Sequence, residues 1–247
     1  MENITSRKNA YIKHLRALAS EKEYRQETQE YICDGLKLLK EALHFGAEIS
    51  SVLWKDKAES LELQGVRQYV APAELFDYAS PMKNSPGPLF AVKMPQRSGQ
   101  KIEKAVVLET VQDPGNVGTV IRTANAFNID AVILCSDCAD LYNPKTVRAT
   151  MGAIFRQQVI RVDVSQLRNF LDENGLKLYG AALSDKARDV REVELKNAAV
   201  AIGSEGKGLS RELLEACDGE IIIPMNPDSE SLNAAVAASV LMWEMAR

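Results

Sequence analysis

Polar residues of types that do chemistry gather in three short stretches of the second half of the chain. Residues 112–127 (QDPGNVGTVIRTANAF) carry Asn116 and Arg122, 201–213 (AIGSEGKGLSREL) set Glu205 among glycines, and 223–233 (IPMNPDSESLN) end on Ser231 and Asn233. In the first stretch a Pro-Gly turn leads into a helix that Asn116 is placed to cap. Val117, Val120, Ile121, Ala124 and Phe127 share one face of that helix, and Arg122 projects roughly opposite. In the second, glycines at a strand end allow close approach of a nucleotide-like ligand. Glu205 there calls for a partner that donates hydrogen bonds or carries positive charge. In the third, Ser231 is placed to cap the last helix. Plainer accounts exist: a solvated arginine, a flexible glycine connector, a packed helix with a routine cap. The last of these leaves Pro224, Ser231 and Asn233 together at one helix entrance without explanation.

Other chemistries are poorly served. Lys207 is followed by Gly208, not Ser or Thr, so this loop is not a Walker phosphate loop. No G-x-G-x-x-G dinucleotide fingerprint follows the first strand of this half. Cys135 and Cys138 are the one close pair among four cysteines, and the chain has two histidines, a poor supply for a four-ligand zinc site. No metal is expected.

The elements that must position these residues follow from apolar periodicity. Strand candidates are 105–111, 131–135, 158–162, 177–183, 199–203 and 220–225, with helical segments between most of them and a last helix over about 232–247. Leu232, Ala235, Val236, Ser239, Val240 and Trp243 form the expected apolar face of that helix. Such alternation argues for an α/β parallel sheet covered on both faces. Ligands of these sheets bind at the carboxyl ends of strands, where all three stretches begin.

The first half reads as a small α/β unit. It has an amphipathic helix over 4–20, with Ile12, Leu15, Leu18 and Ala19 on one face, and a second helix over 33–46 closed by Gly46. Strands at 49–54, 67–70 and 89–94 and a helix at 73–79 complete it. Residues 94–104 (MPQRSGQKIEK) are polar and lack an apolar period. The expected domains are therefore 1–95 and 105–247, joined by a linker at 96–104.

At 247 residues the chain can bury two cores, and 46% hydrophobic with 26% charged residues is ordinary for a globular protein. No apolar run approaches the roughly 20 residues needed to cross a bilayer, and the N-terminus lacks a signal-peptide core. A cytoplasmic location is expected. A net charge of −4 does not by itself point to nucleic acid, but charge is local. Arg7, Lys8, Lys13 and Arg16 crowd the first twenty residues against Glu2, and Arg122, Lys145, Arg148 and Arg156 recur later.

Taken together, the three stretches resemble the SpoU (TrmH) family of RNA ribose 2′-O-methyltransferases in the SPOUT superfamily. The resemblance runs through most of 105–247 and rests on N-x-G-x-x-x-R-T-A-x-A-F (Asn116 to Phe127), G-S-E-G-x-G (Gly203 to Gly208) and I-P-M-x5-S-L-N (Ile223 to Asn233). The segment NPKTVRATMGAIFR (143–156) also looks like the family's sequence, and the first half resembles the family's small ribosomal-protein-like substrate-binding domain, on weaker motifs.

The resemblance implies a parallel-sheet domain whose C-terminal segment threads a trefoil knot, dimerisation through that region, and S-adenosylmethionine as cofactor. It places Gly203, Ile223 and Leu232 at cofactor contacts, with Met225 and Leu183 beside them, and Arg122, Asn116, Glu205, Ser231 and Asn233 in the active site. RNA would be held by the basic first helix (Arg7, Lys8, Lys13 and Arg16), by Lys145 and Arg148, and by the partner subunit. Arg122 would stabilise charge on the developing alkoxide and clamp a phosphate; guanidinium keeps its proton to very high pH and is a poor literal base. The loop NPDSE (226–230) departs from the family pattern, and its Pro227 and Asp228 bear on substrate choice. Two rivals stay open: a non-catalytic RNA-binding or ribosome-assembly protein on the same fold, and a metabolic enzyme using a nucleotide on a Rossmann-like sheet.

Overall fold

A computed structural model describes residues 1–95, 101–226, 228 and 231–247. Along the chain run β1 (Glu2–Asn3), α1 (Ala10–Ser20), α2 (Lys22–Thr28), β2 (Glu30–Asp34), α3 (Leu36–His44), β3 (Ile49–Lys55), β4 (Arg67–Ala71), α4 (Ala73–Ala79) and β5 (Leu89–Lys93). There follow β6 (Lys104–Glu109), α5 (Pro114–Ala126), β7 (Ala131–Cys135), α6 (Pro144–Ala149), β8 (Gln158–Arg161), α7 (Val164–Glu173) and β9 (Lys177–Ala181). Last come β10 (Arg188–Asp189), β11 (Ala198–Ile202), α8 (Arg211–Glu215), β12 (Gly219–Ile222) and α9 (Ala234–Ala246). The chain divides into two compact units, Met1–Arg97 with Asp140–Phe155, and Ser98–Ala139 with Arg156–Arg247.

The first unit is a mixed sheet in the order β1-β4-β3-β5-β2, with β5 antiparallel to both neighbours. Helix α1 starts at Ala10, not at residue 4, because Asn9 caps it and Ile4 is buried in the extended segment, its N–H bonded to Val70. The expected helix over 33–46 is corrected likewise. Cys33 lies in β2, and Gly35 (φ +108°) turns the chain before α3 begins. Gly46 does follow that helix with φ +67°. Sequence reading missed α2, a short helix with little apolar content.

Asp140–Phe155, inside the expected 105–247 domain, packs with this first unit. Val147, Ile154 and Phe155 are buried in one cluster with Tyr31, Trp54 and Phe90, and that apolar burial decides where the segment packs. Its first residue, Asp140, is gripped by the buried Arg25, whose Nη2 lies 2.6 Å from Oδ2.

The second unit is an all-parallel sheet in the order β10-β12-β9-β11-β6-β7-β8. Residues 105–108 of β6, all of β7 and all of β11 are buried, as expected of strands covered on both faces. One face packs on α7 and α8, and α5 and α9 pair with each other over the other. Ile102, inside the expected linker, is 3% exposed and joins the core, and Lys104 already belongs to β6. The expected linker residues 96–100 lie outside those described. Several strands end earlier than their apolar runs. Thr110 turns at φ +57° after β6, and the chain leaves β9 at Ala181 and β12 at Ile222.

Candidate active site

Strands β6 and β11 are neighbours, Ile202 facing Leu108 at their carboxyl ends. After β6, Asp113 rather than Asn116 is the helix cap, accepting the Asn116 N–H at 2.8 Å. Pro114 opens the helix, so Asn116 is its third residue and its side chain remains free for another use.

After β11 the chain folds back on itself: Ser204 and Gly208 form an isolated bridge, with the Gly208 N–H 2.8 Å from the Ser204 carbonyl. A Cβ at Gly203 would lie 2.0 Å from the Gly208 carbonyl carbon, so no other residue fits there. Glu205 is held out at the tip of this closed loop.

The third stretch reaches α9 through Asn233, which displaces Ser231 from its expected capping role. Asn233 Oδ1 accepts the N–H groups of Ala235 and Val236 at 3.0 and 3.3 Å. Ser231 stands exposed two residues earlier, with no hydrogen bond to the described residues. Of the departing loop, Asn226 and Asp228 are described, the Asp228 N–H meeting Asn226 Oδ1 at 3.1 Å, while Pro227 lies outside.

Asn116 from the first turn of α5, Glu205 from the glycine loop and Asn233 from the cap of α9 form one hydrogen-bonded group. Glu205 Oε1 accepts from Asn116 Nδ2 at 2.5 Å and from Asn233 Nδ2 at 3.2 Å, and the Asn233 amide also donates to Asn116 Oδ1 at 3.2 Å. Because the Asn233 oxygen is taken by the helix N–H groups, its NH2 must face Glu205. The carboxylate also sits before the N-terminus of α9, where the helix dipole favours negative charge. Glu205 Oε2 is left without a partner among the described residues.

Arg122 does not join this group. It is exposed on α5 and makes no hydrogen bond or ion pair with a described residue. Six residues of helix place it about 9 Å beyond Asn116 along the axis and roughly 120° around it.

Beside the group lies a cleft of about 450 Å³ between the loops after β9, β11 and β12. It takes in all five cofactor candidates, Leu183, Gly203, Ile223, Met225 and Leu232, together with Glu205 and Ser231. Its walls are mainly aliphatic, and its size and few charges suit a small organic ligand with polar ends. Sequence reading missed Glu220, whose carboxylate accepts a hydrogen bond from Ser184 at the cleft wall. A charge at the head of the apolar run 221–225 was the available signal.

The cysteines are protonated thiols in this setting. Burial pushes Cys135 up to about 12, and Cys138 also upward. Among the described residues no three His, Cys, Asp or Glu side chains gather as a metal site.

The six basic candidates all fall in the first unit, Lys145 and Arg148 through Asp140–Phe155, and all six are exposed. Arg7 and Arg16 converge on the Tyr78 ring, at 4.7 and 4.1 Å from its centroid, and Arg16 also donates to the Tyr78 carbonyl at 2.7 Å. Arg7 pairs with Glu74, Arg148 approaches the Met82 sulfur, and Lys8 and Lys13 point to solvent.

A family model described as the SpoU rRNA methylase family matches residues 103–243, and an MRM3-like substrate binding domain matches 9–87. The chain belongs to the SpoU rRNA methylase family. Over 249 aligned residues it is 34% identical to the 23S rRNA (guanosine(2553)-2′-O)-methyltransferase RlmP of Bacillus subtilis (strain 168), covering 99% of each chain. The AdoMet-bound rRNA methyltransferase of Sinorhizobium meliloti superposes with a TM-score of 0.87 at 26% identity, over 98% of this chain and 96% of that one. The SpoU methyltransferase AviRb of Streptomyces viridochromogenes, in complex with AdoMet, shares the fold: TM-score 0.87 at 24% identity, over 97% and 98% of the chains. Membership agrees with where the SpoU motifs fall, since the second and third line the cleft and the first brings Asn116 against Glu205 at its mouth.

Proposed function

We propose that the protein transfers a methyl group from S-adenosylmethionine to a ribose 2′-hydroxyl of structured RNA, ribosomal rather than transfer RNA, and works as a cytoplasmic homodimer. The observation that carries this reading is the interlocked Asn116–Glu205–Asn233 group at the mouth of an aliphatic cleft. Family membership and the activity for which the Bacillus subtilis relative is named, 2′-O-methylation of a guanosine in 23S rRNA, support the substrate class.

The cleft fits the cofactor. Its aliphatic walls receive an adenosine, and the close approach of backbone at Gly203 leaves peptide groups, rather than side chains, to line its floor. Leu183, Ile223, Met225 and Leu232 would supply the contacts. S-adenosylmethionine, when bound, brings a methyl already activated by a sulfonium.

What remains for the chain is positioning and one proton. Glu205 Oε2 is free to accept a hydrogen bond from the ribose hydroxyl, and Asn116 and Asn233 fix the carboxylate so that this bond is preorganised. Arg122 stabilises the developing alkoxide and grips a phosphate with its planar fork. Ser231 shapes the approach.

Arg122 is remote from Glu205 along α5, and a second copy of the chain is the natural way to bring an arginine to the site. Helix α9 supports that. Its buried side is Ala234, Ala235, Ala238, Leu241, Met242 and Met245, so that of the expected face Ala235 is buried, while Val236, Val240 and Trp243 are 49%, 36% and 57% exposed as one stripe. The dimer is proposed to form on this stripe. The family's threaded knot, built from the loops around the cleft, belongs to the same reading. RNA is held by the first domain, residues 1–95, through Arg7, Lys8, Lys13 and Arg16, with Lys145 and Arg148 added from the segment that packs with it.

The test is transfer of labelled methyl to total RNA lacking the modification, with wild type and Arg122→Ala compared. Label on ribose with wild type alone, and unchanged S-adenosylhomocysteine affinity in the variant, is the expected result. Loss of cofactor affinity in step with activity would remove Arg122 from its assigned role. Cofactor binding without transfer to any RNA would favour the non-catalytic reading.

A further inference from the structure

We infer that Glu109 is a positioning residue for the cofactor cleft, acting through Ser210 on the glycine loop; the inference rests on the methyltransferase reading above. Glu109 is the last residue of β6 and 3% exposed, although an aliphatic residue would pack there as Leu108 does one position earlier. A buried carboxylate is costly unless it is fully hydrogen-bonded. Both of its oxygens are engaged by a single residue. Oε2 accepts the Ser210 N–H at 2.7 Å and Oε1 accepts the Ser210 hydroxyl at 2.6 Å. No cation pairs with it among the described residues.

Ser210 is the hinge of the glycine loop. Its hydroxyl also accepts the Leu213 N–H at 3.1 Å and so caps α8. Leu209 and Gly208 precede it, and both lie against Gly203, the position where a Cβ would meet Gly208 at 2.0 Å and the Leu209 nitrogen at 2.4 Å. Gly203, Gly208 and Leu209 all line the cleft. The Glu109 grip therefore reaches the cofactor floor through two consecutive residues.

The same two loops meet again at the mouth, through Asn116 and Glu205. The segment after β6 leads from Glu109 to Asn116 in the first turn of α5, and the loop after β11 carries Glu205 and ends at Ser210, before α8. Glu109–Ser210 closes this ring at its base and Asn116–Glu205 closes it at the top. Without the base link, only the partly exposed upper hydrogen bonds would hold the glycine loop against β6. The loop would then sample positions in which the cleft floor is wrong for its ligand.

The experiment is calorimetric titration of the full-length protein with S-adenosylhomocysteine, alongside thermal melts without ligand. The temperature is kept well below each variant's midpoint. Glu109→Ala is expected to bind at least about tenfold more weakly, as fits loss of hydrogen bonds to a charged group. Glu109→Gln should stay within about threefold, because its carbonyl still accepts the Ser210 N–H and its NH2 can donate to the Ser210 oxygen. The double variant Glu109→Ala/Ser210→Ala should be no weaker than Glu109→Ala by more than about twofold, since the two residues form one interaction. A role in packing alone would lower the melting temperature and leave affinity at the wild-type value, and that result overturns the inference. Should Glu109→Ala not fold, Ser210→Ala carries the same test, with wild-type affinity again overturning it. Wild type that binds no S-adenosylhomocysteine would instead remove the methyltransferase reading itself.

Discussion

In the second unit Asn116, Glu205 and Asn233 come from three separate segments and touch one another. In the first unit the six basic candidates stand mostly apart, with only Arg7 and Arg16 sharing a ring. The difference follows from what each unit would hold. A small ligand and a reacting hydroxyl need groups fixed to a fraction of an ångström, which requires interlocked loops and close backbone packing. A polyanion is attracted by summed charge, and its partners need only be exposed and of one sign. Precision should therefore be fragile in the second unit and charge forgiving in the first.

The largest break in that comparison is expected at Glu205. Glu205→Ala removes the acceptor shared by both asparagines and should lower kcat by about 100-fold or more, in the range seen when a preorganised polar group is lost. RNA retention on filters should stay near wild type, because the residue lies outside the basic unit. A variant that loses RNA binding and turnover together would contradict the division of labour. Next in size is the glycine loop. Gly203→Ala places a Cβ 2.0 Å from backbone, whereas the same change at Gly206 meets nothing within 4 Å. Affinity for S-adenosylhomocysteine should fall at least about tenfold for the first and change by less than about threefold for the second. Equal effects would mean that loop flexibility, not the close approach, matters there.

How much of this could be read from sequence differs in the same way. The strands of the second unit, the glycine loop and the residues of the polar group were legible because close packing and loop geometry restrict residue type. The caps were misread at both helices. Asn116 and Ser231 are plausible cap residues, yet Asp113 and Asn233 hold those places, and the shift is what frees Asn116 to meet Glu205. The buried face of α9 was not legible either, since a helix apolar all round does not say which side packs. Glu109 showed only as a charge inside an apolar run and Glu220 as a charge at the head of one. In the first unit, Gly35 cut a helical period that sequence alone would have continued, and the place of Asp140–Phe155 depended on long-range burial that no local pattern encodes.

The exposed stripe on α9 is the proposed seat of a second copy of the chain. Trp243 is 57% exposed and packs edge-on to Phe127 with centroids 5.5 Å apart, so one side of the indole is held and the other is free. Trp243→Lys should shift the particle from dimer to monomer in light scattering at micromolar concentration. A dissociation constant raised by at least about tenfold is expected, as for loss of a central aromatic anchor. If Arg122 is supplied across that interface, turnover should fall with dimer content. A fully active monomer would place the whole site within one chain.

The smallest effects belong to the basic unit. Arg7 and Arg16 stack on Tyr78, which orients two guanidinium groups toward solvent without burying either. Each is expected to contribute one phosphate contact among several. Replacing one with alanine should weaken RNA binding only a few-fold near physiological salt and flatten the slope of log affinity against log salt by about 0.7–0.9. The cofactor titration should not change. Replacing both should roughly double the slope change, because contacts of this kind add through released counterions rather than through a shared geometry. A single variant that abolished binding, or a slope that did not move, would show that these residues read a defined RNA shape. The contrast between a fixed site and a forgiving surface would then have to be withdrawn for the first unit.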